Sequence, residues 1–349
     1  MNILVLSQAY PSYENKYAMG YVHTRCVKYR ELGHNVTVLS FSASIKYNYE
    51  DVLVCPSVED FYQYDLIVSH APNVKNHMRT LLALKGHRVV VFFHGHEVLK
   101  TYSDYPAPFF WKNSNLLKRK FVGVYDYLKL KLMGLWLKHL SKHNKLGLVF
   151  VSRWMREQFE RNIGVPANIF GNVDIIENAV NDCFAKEHYF PNENLSADFL
   201  TIRPLDESKY ALDVVLKFAE ANPGKTFHIY GRGDFFKYYS MPSNVEWFDR
   251  YLSQKEIPKL LNNYTAVLMP TRYDAQGVMV CEMATYGIPV ITSNISVCQE
   301  MLNDFVNVSF IDNLSLDFSI EIPTPVSEKN KRFFSDKLIN RELVFFDGL

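Results

Sequence analysis

The chain has 349 residues, 48% of them hydrophobic, and a formal net charge of +1. That length is about twice a typical domain, so two domains are expected, each able to bury a core. So balanced a charge argues against a dedicated nucleic-acid binder, which needs surplus Lys and Arg to neutralise phosphates. The five cysteines (Cys26, Cys55, Cys183, Cys281 and Cys298) are scattered and never form a C-x-x-C pair. That is the usage of reduced thiols, not of a disulfide framework or a zinc site. The N-terminal "MNILVLSQAYPS" lacks the basic region of a signal peptide, and no uncharged stretch reaches membrane-spanning length. The expected location is the cytoplasm, with at most a surface attachment to the inner face of the cytoplasmic membrane.

In chain order, the first half offers the strands "NILVLS", "NVTVLSF", "DLIVSH", "RVVVFFH", "LGLVFVS" and "VDIIEN". The second half offers "FLTIR", "TFHIY", "NVEWF", "AVLMP", "PVITS" and "VNVSFI". Apolar strands separated by helix-length segments predict parallel sheets covered on both faces. Two such series predict an α/β chain of two doubly wound, Rossmann-like domains facing across a cleft. The boundary is expected at the aperiodic, polar 181–198. This gives a first domain of 1–180, a second of 181–326, and a final amphipathic helix of about 327–349 packing back on the first.

The stretch "PTRYDAQGVMVCEMATYGIPVIT" (270–292) then reads as strand end, loop, helix and next strand. Asp274 falls on the loop and Glu282 two turns into the helix. The amides of Gly277, Val278 and Met279 open that helix and form a ready anion site. Carboxylates for hydroxyls and amides for a diphosphate suit a nucleotide-sugar, although a bare strand-helix-strand unit with two solvated acids has the same outline.

The segment resembles the E-x7-E region of retaining glycosyltransferases of family 4, which have the GT-B fold. Pro270, Gly277, Glu282, Met283, Ala284, Gly287, Pro289, Val290 and Ile291 match that pattern. The resemblance implies transfer of a sugar from a nucleoside diphosphate donor, UDP-linked in the commonest case, to a hydroxyl of a saccharide or lipid-linked saccharide. Such chemistry serves the synthesis of surface polysaccharides and glycans. It makes the first domain the acceptor domain and the second the donor domain.

Arg203 and Lys209 match the family's basic pair, implied to neutralise the departing diphosphate. No two Asp lie two apart, so the D-x-D that would hold a metal is missing, and neither metal nor cofactor is expected. Glu282 is implied to hold the ribose and Asp274 to orient the donor sugar. Gly231, in "HIYGRGDF", matches the family's G-x-G turn, and Gly20, in "AMGYVH", its glycine loop, where backbone approaches the donor. His94, directly after a buried strand, matches a histidine that faces the reacting centre. A satisfied structural histidine, or metal binding through His94 and His96 with Glu97, are the alternatives there.

The departures bear on the donor. Asp274 stands where Glu is usual, "DAQG" replaces E-G-F-G, Ile202-Arg203 replaces Gly-Arg, and Met19-Gly20 replaces Gly-Gly. A non-catalytic relative serving as a partner subunit, a sugar-nucleotide epimerase and a phosphorylase are the rival readings within the fold. A dinucleotide-dependent oxidoreductase lacks its G-x-G-x-x-G after the first strand.

One basic segment remains. Residues 112–145 hold nine Lys or Arg against the single acid Asp126. On a helical wheel Lys120, Lys131, Lys138, Lys142 and Lys145 share a narrow sector beside Phe121, Val124, Tyr125, Leu128, Leu132, Leu135 and Trp136. That pattern predicts a helix lying on an anionic membrane with Lys131, Lys138, Lys142 and Trp136 at the surface. The alternative packs the apolar stripe on the first sheet and leaves the lysines merely solvated.

Overall fold

The computed structural model describes residues 1–13, 15, 18–112, 115–315, 319 and 321–349. The chain divides into two compact units. One comprises 1–104, 116–179 and 335–349, and the other 105–115 and 180–334. Segment 105–115, placed in the first domain by its position in the sequence, thus belongs to the second unit. There Phe109 stacks on Trp111, and Trp111 on Tyr238, with ring centroids 4.6 and 4.5 Å apart. Burial of three aromatic faces anchors this excursion.

The first unit is built on eight strands: β1 (Asn2–Ser7), β2 (Asn35–Ser40), β3 (Tyr47–Tyr49), β4 (Val52–Cys55), β5 (Leu66–His70), β6 (Arg88–Phe93), β7 (Lys145–Phe150) and β8 (Asn172–Ile175). Their spatial order is β3-β4-β2-β1-β5-β6-β7-β8. Among the described residues only the β3–β4 hairpin is antiparallel. β5 is buried at every position, as a parallel strand covered on both faces must be.

The second unit carries six parallel strands: β9 (Ala197–Ile202), β10 (Phe227–Tyr230), β11 (Val245–Phe248), β12 (Tyr264–Met269), β13 (Val290–Ser293) and β14 (Val308–Ile311). Their order, β11-β10-β9-β12-β13-β14, is that of a doubly wound mononucleotide sheet. The order reverses between β9 and β12. The carboxyl ends of those two strands are therefore where such a sheet opens a crevice for ligand.

The final helix begins only at Ser335 and runs to Asp347, shorter than the 327–349 expected. Residues 327–334 stay with the second unit, where Lys329 Nζ donates to the carbonyls of Phe184 and Thr285. The helix itself belongs to the first unit. Its Glu342 is buried and accepts from Arg25 Nε at 2.7 Å and from the Tyr29 hydroxyl. Arg25 also donates to Asn178 Oδ1 at 2.9 Å and lies over the Phe92 ring, 5.1 Å from its centroid. One guanidinium thereby ties helix Gly20–Glu31, the segment after β8 and the final helix together.

Candidate functional site

In the second unit, the loops after β9 and β12 converge at the switch point. Arg203 follows β9 directly and is 5% exposed. Its Nη2 reaches the Met269 carbonyl at 3.5 Å, at the end of β12. Lys209 sits on the short 3-10 turn Ser208–Tyr210. The Arg203 guanidinium and the Lys209 ammonium each lie 4.8 Å from the centroid of the Tyr210 ring. Among the described residues neither cation forms an ion pair with a carboxylate. Burial pulls the Arg203 pKa down, and Tyr210 and Asp274 oppose that shift. The pair is a concentration of positive charge held by an aromatic ring, so an anion can still claim it.

The two loops are stapled to each other. The Lys209 carbonyl accepts from the Arg272 amide at 2.7 Å and from the Thr271 hydroxyl at 3.0 Å. Arg272 clamps Asp213 through two bonds of 2.8 and 2.6 Å. Asp274, half-buried, folds its Oδ1 onto the amides of Ala275 and Gln276 at 2.8 and 3.3 Å. Gly277 then caps the helix Val278–Tyr286 in the left-handed region, at φ 74°. The amides of Val278 and Met279, in its first turn, have no preceding helical carbonyl to bind.

Glu282 is 3% exposed, in the second turn, and its Oε1 accepts from the Asn181 amide at 3.1 Å. Burial pushes its pKa up to about 7, against the lowering effect of the Asn181 amide and the Gln254 side chain. Gly231 has a packing duty: at φ 150° its missing Cβ would fall 1.8 Å from the Arg203 carbonyl oxygen. Only glycine lets β10 end against the residue that carries the guanidinium.

The first unit brings its candidates to the carboxyl ends of β1, β5 and β6. Gly20 starts the helix Gly20–Glu31 behind a left-handed Met19, and a Cβ at Gly20 would meet nothing described within 4 Å. His94 follows β6 and is held by its surroundings. Glu97 accepts from the amides of His94 and Gly95 at 3.0 and 2.6 Å. The Tyr21 ring lies 4.4 Å from the imidazole, and His70 Nδ1 lies 3.0 Å from His94 Nε2. Burial drives the pKa values of both histidines well below the usual range. The nearby Arg25 charge adds to this in each case. His94 is therefore a neutral imidazole at physiological pH. Among the described residues no cluster of His, Cys, Asp and Glu could hold a metal ion.

The basic segment forms the helix Leu116–His143. Lys131, Lys138 and Lys142 are exposed. Trp136 corrects the expectation: it is 4% exposed and faces inward with Leu130, Met133, Leu137 and Leu140. The same inner face carries Asp126, which accepts from the Thr101 amide at 2.6 Å. From beside it, Lys129 Nζ donates to the carbonyls of His96 and Leu99 at 3.1 and 2.7 Å. The helix thus steadies the loop that leaves His94. No helix among the described residues is long and apolar enough to cross a membrane.

Sequence reasoning missed three members of this arrangement. Tyr210 stood in a polar loop with no periodicity to mark it. Arg25 and His70 lay inside elements read only for their apolar pattern.

Residues 200–317 match the family described as Glycosyl transferases group 1. That span runs from β9 past β14 and contains Arg203, Lys209, Asp274 and Glu282. Solved structures match over both units. Sucrose-phosphate synthase from Thermosynechococcus elongatus aligns with a TM-score of 0.63 at 11% identity, covering 99% of this chain and 90% of that one. A glycosyltransferase involved in avilamycin A biosynthesis gives 0.59 at 12% identity, covering 99% and 97%. A glycosyltransferase from Rickettsia africae gives 0.58 at 11%, covering 99% and 88%. At these identities the likeness concerns the fold, and the fold is GT-B. No curated protein matches the sequence.

Proposed function

We propose that this protein is a retaining glycosyltransferase that takes its sugar from a nucleoside diphosphate donor, UDP-linked in the simplest case, without a metal. The observation that carries the reading is the pair Arg203 and Lys209. Two cations without carboxylate partners flank Tyr210 at the switch point of the second sheet, beside the open helix start at Val278 and Met279. A leaving diphosphate gains negative charge as the glycosidic bond breaks, and preorganised cations and amides favour that state over the bound donor.

In this reading Asp274 orients the donor sugar and Glu282 the ribose. Gly20 admits backbone to the donor, and neutral His94 hydrogen-bonds the reacting region. The acceptor is a hydroxyl of a saccharide or lipid-linked saccharide. The C1–O bond to phosphate breaks as the acceptor oxygen bonds to C1 on the same face. The acceptor proton passes to the departing phosphate oxygen. No side-chain base is required, and the neutral His94 is suited to hydrogen-bonding, not to carrying a charge.

The test is calorimetric titration of UDP, GDP, ADP and CMP into the purified chain in the presence of EDTA, repeated with Lys209→Ala. One diphosphate is expected to bind at micromolar strength and to weaken roughly tenfold or more in the variant, as loss of a charge-assisted contact dictates. Absence of binding by all four nucleotides would overturn the reading in favour of a non-catalytic relative.

A further inference from the structure

The helix Leu116–His143 is apolar on two opposite faces, and only one of them is covered. The inner face buries Leu130, Met133, Trp136, Leu137 and Leu140. The outer face leaves Leu117, Phe121, Leu128 and Leu135 between 52% and 75% exposed, with Val124, Tyr125 and Leu132 between them. At about 100° per residue these seven side chains fall within a sector of roughly 100°, opposite the buried one. From Leu117 to Leu135 the stripe is about 27 Å long at 1.5 Å per residue. A soluble chain rarely shows water so large a continuous apolar strip unless something covers it.

Charge identifies the occupant. Lys120, Lys131, Lys138 and Lys142 line one edge of the stripe within a sector of roughly 40°, all exposed and, among the described residues, none in an ion pair. The helix's only acid, Asp126, is turned inward onto Thr101 and Lys129. The outward half is therefore apolar with a purely basic border. A second copy docked on the same stripe would set two lysine rows side by side at a cost in repulsion. A bilayer rich in anionic phospholipid supplies both apolar depth and opposite charge.

We propose that the outer face of helix Leu116–His143 lies in the interface of an anionic phospholipid membrane, with Phe121, Leu128 and Leu135 inserted and the lysine row on the headgroups. This reaches beyond sugar transfer and does not depend on it. If the transfer reading also holds, the docking brings acceptors carried on lipid to the first unit.

The test is co-sedimentation of the full chain with phosphatidylcholine vesicles, with and without phosphatidylglycerol, in the absence of donor and acceptor. Binding is expected only to the phosphatidylglycerol vesicles and is expected to weaken as salt rises. A triple charge reversal, Lys131→Glu with Lys138→Glu and Lys142→Glu, should lower the partition coefficient roughly a hundredfold or more. A second triple variant, Leu117→Ser with Phe121→Ser and Leu128→Ser, should abolish binding while keeping the wild-type melting temperature and nucleotide affinity. Failure of the wild-type chain to bind the anionic vesicles overturns the proposal. So does a concentration-dependent dimer that the serine variant dissolves, which would give the face to a second copy. Neither result touches nucleotide binding, so the proposed function is judged separately.

Discussion

His70 Nδ1 and His94 Nε2 lie 3.0 Å apart, between two imidazoles that burial keeps neutral. Of two neutral rings in contact, one nitrogen must carry the proton and the other accept it, so the tautomers of His70 and His94 are coupled. If His94 serves the reacting region, replacing His70 should act through it. His70→Leu is expected to lower kcat about tenfold with little change in donor affinity. His70→Asn, which keeps a polar group near the Nδ1 position, should recover most of the loss. Steady-state kinetics of the two variants check this. Equal activity in both, or equal loss, would leave His70 a packing residue.

The Arg25–Glu342 pair is almost wholly inside the first unit, with side chains 3% and 0% exposed. Glu342→Ala would strand the guanidinium in the core, and removing one member of such a pair costs about 3–5 kcal/mol. Arg25→Met with Glu342→Leu removes both charges and should cost much less than the single change. Urea unfolding of the two variants decides it. A single-variant loss below about 1 kcal/mol would mean that water reaches the pair and screens it.

The sheets were legible because buried parallel strands write themselves as β-branched runs. All twelve of the strands expected from such runs form, within three residues at their ends. The β3–β4 hairpin was not legible. Its "YNY" is three residues with a polar centre, and its turn depends on left-handed Glu50 and Asp51. At about 100° per residue Trp136 falls at the border of the two apolar faces of helix Leu116–His143 and packs with the inner one, among Leu130, Met133 and Leu137, so joining it to the exposed stripe misplaced it. The final helix starts eight residues later than expected, at Ser335, since residues 327–334 are held instead by tertiary bonds. Among them, Arg332 donates to the carbonyls of Glu300 and Met301. In the candidate site, the loop positions of Arg203, Lys209 and Asp274 follow from the strand pattern, whereas Tyr210 lies in a short turn with no periodicity to mark it and His70 meets His94 only across neighbouring strand ends.

Gly231 and Gly277 offer a contrast in what a methyl group would do. At Gly231 the new Cβ would meet the Arg203 carbonyl oxygen at 1.8 Å, in a backbone region that side chains avoid. Backbone strain and overpacking together place the cost of Gly231→Ala at about 3 kcal/mol or more. The displaced Arg203 should weaken nucleoside diphosphate binding at least tenfold. At Gly277 the nearest atom, Asp274 Oδ2, is 3.6 Å away, so Gly277→Ala meets only the φ of 74° and should cost about 1–2 kcal/mol. Thermal melts and calorimetry on both variants test the ranking, which a larger effect at Gly277 would reverse.

Glu282 makes stability depend on pH in a direction that can be worked out. Its ordinary pKa of 4.5 is raised to about 7 in the fold because burial disfavours the carboxylate. Below pH 4.5 the group is protonated both folded and unfolded, and the fold keeps its full stability. As pH rises toward 7 the unfolded chain releases this proton while the folded chain holds it, so stability falls. Above the folded pKa the loss levels off, at no more than about 3 kcal/mol. Glu282→Gln removes the titration, so its melting temperature should decline less between pH 5 and 8 than that of the wild type. Nucleotide binding responds in the opposite sense. A carboxylate accepts from ribose hydroxyls better than the acid does, so wild-type affinity should rise through pH 7 while the glutamine variant stays flat. Parallel melting curves for the two proteins would show that Glu282 is already ionised below neutrality. A pH-independent wild-type affinity would remove Glu282 from the ribose.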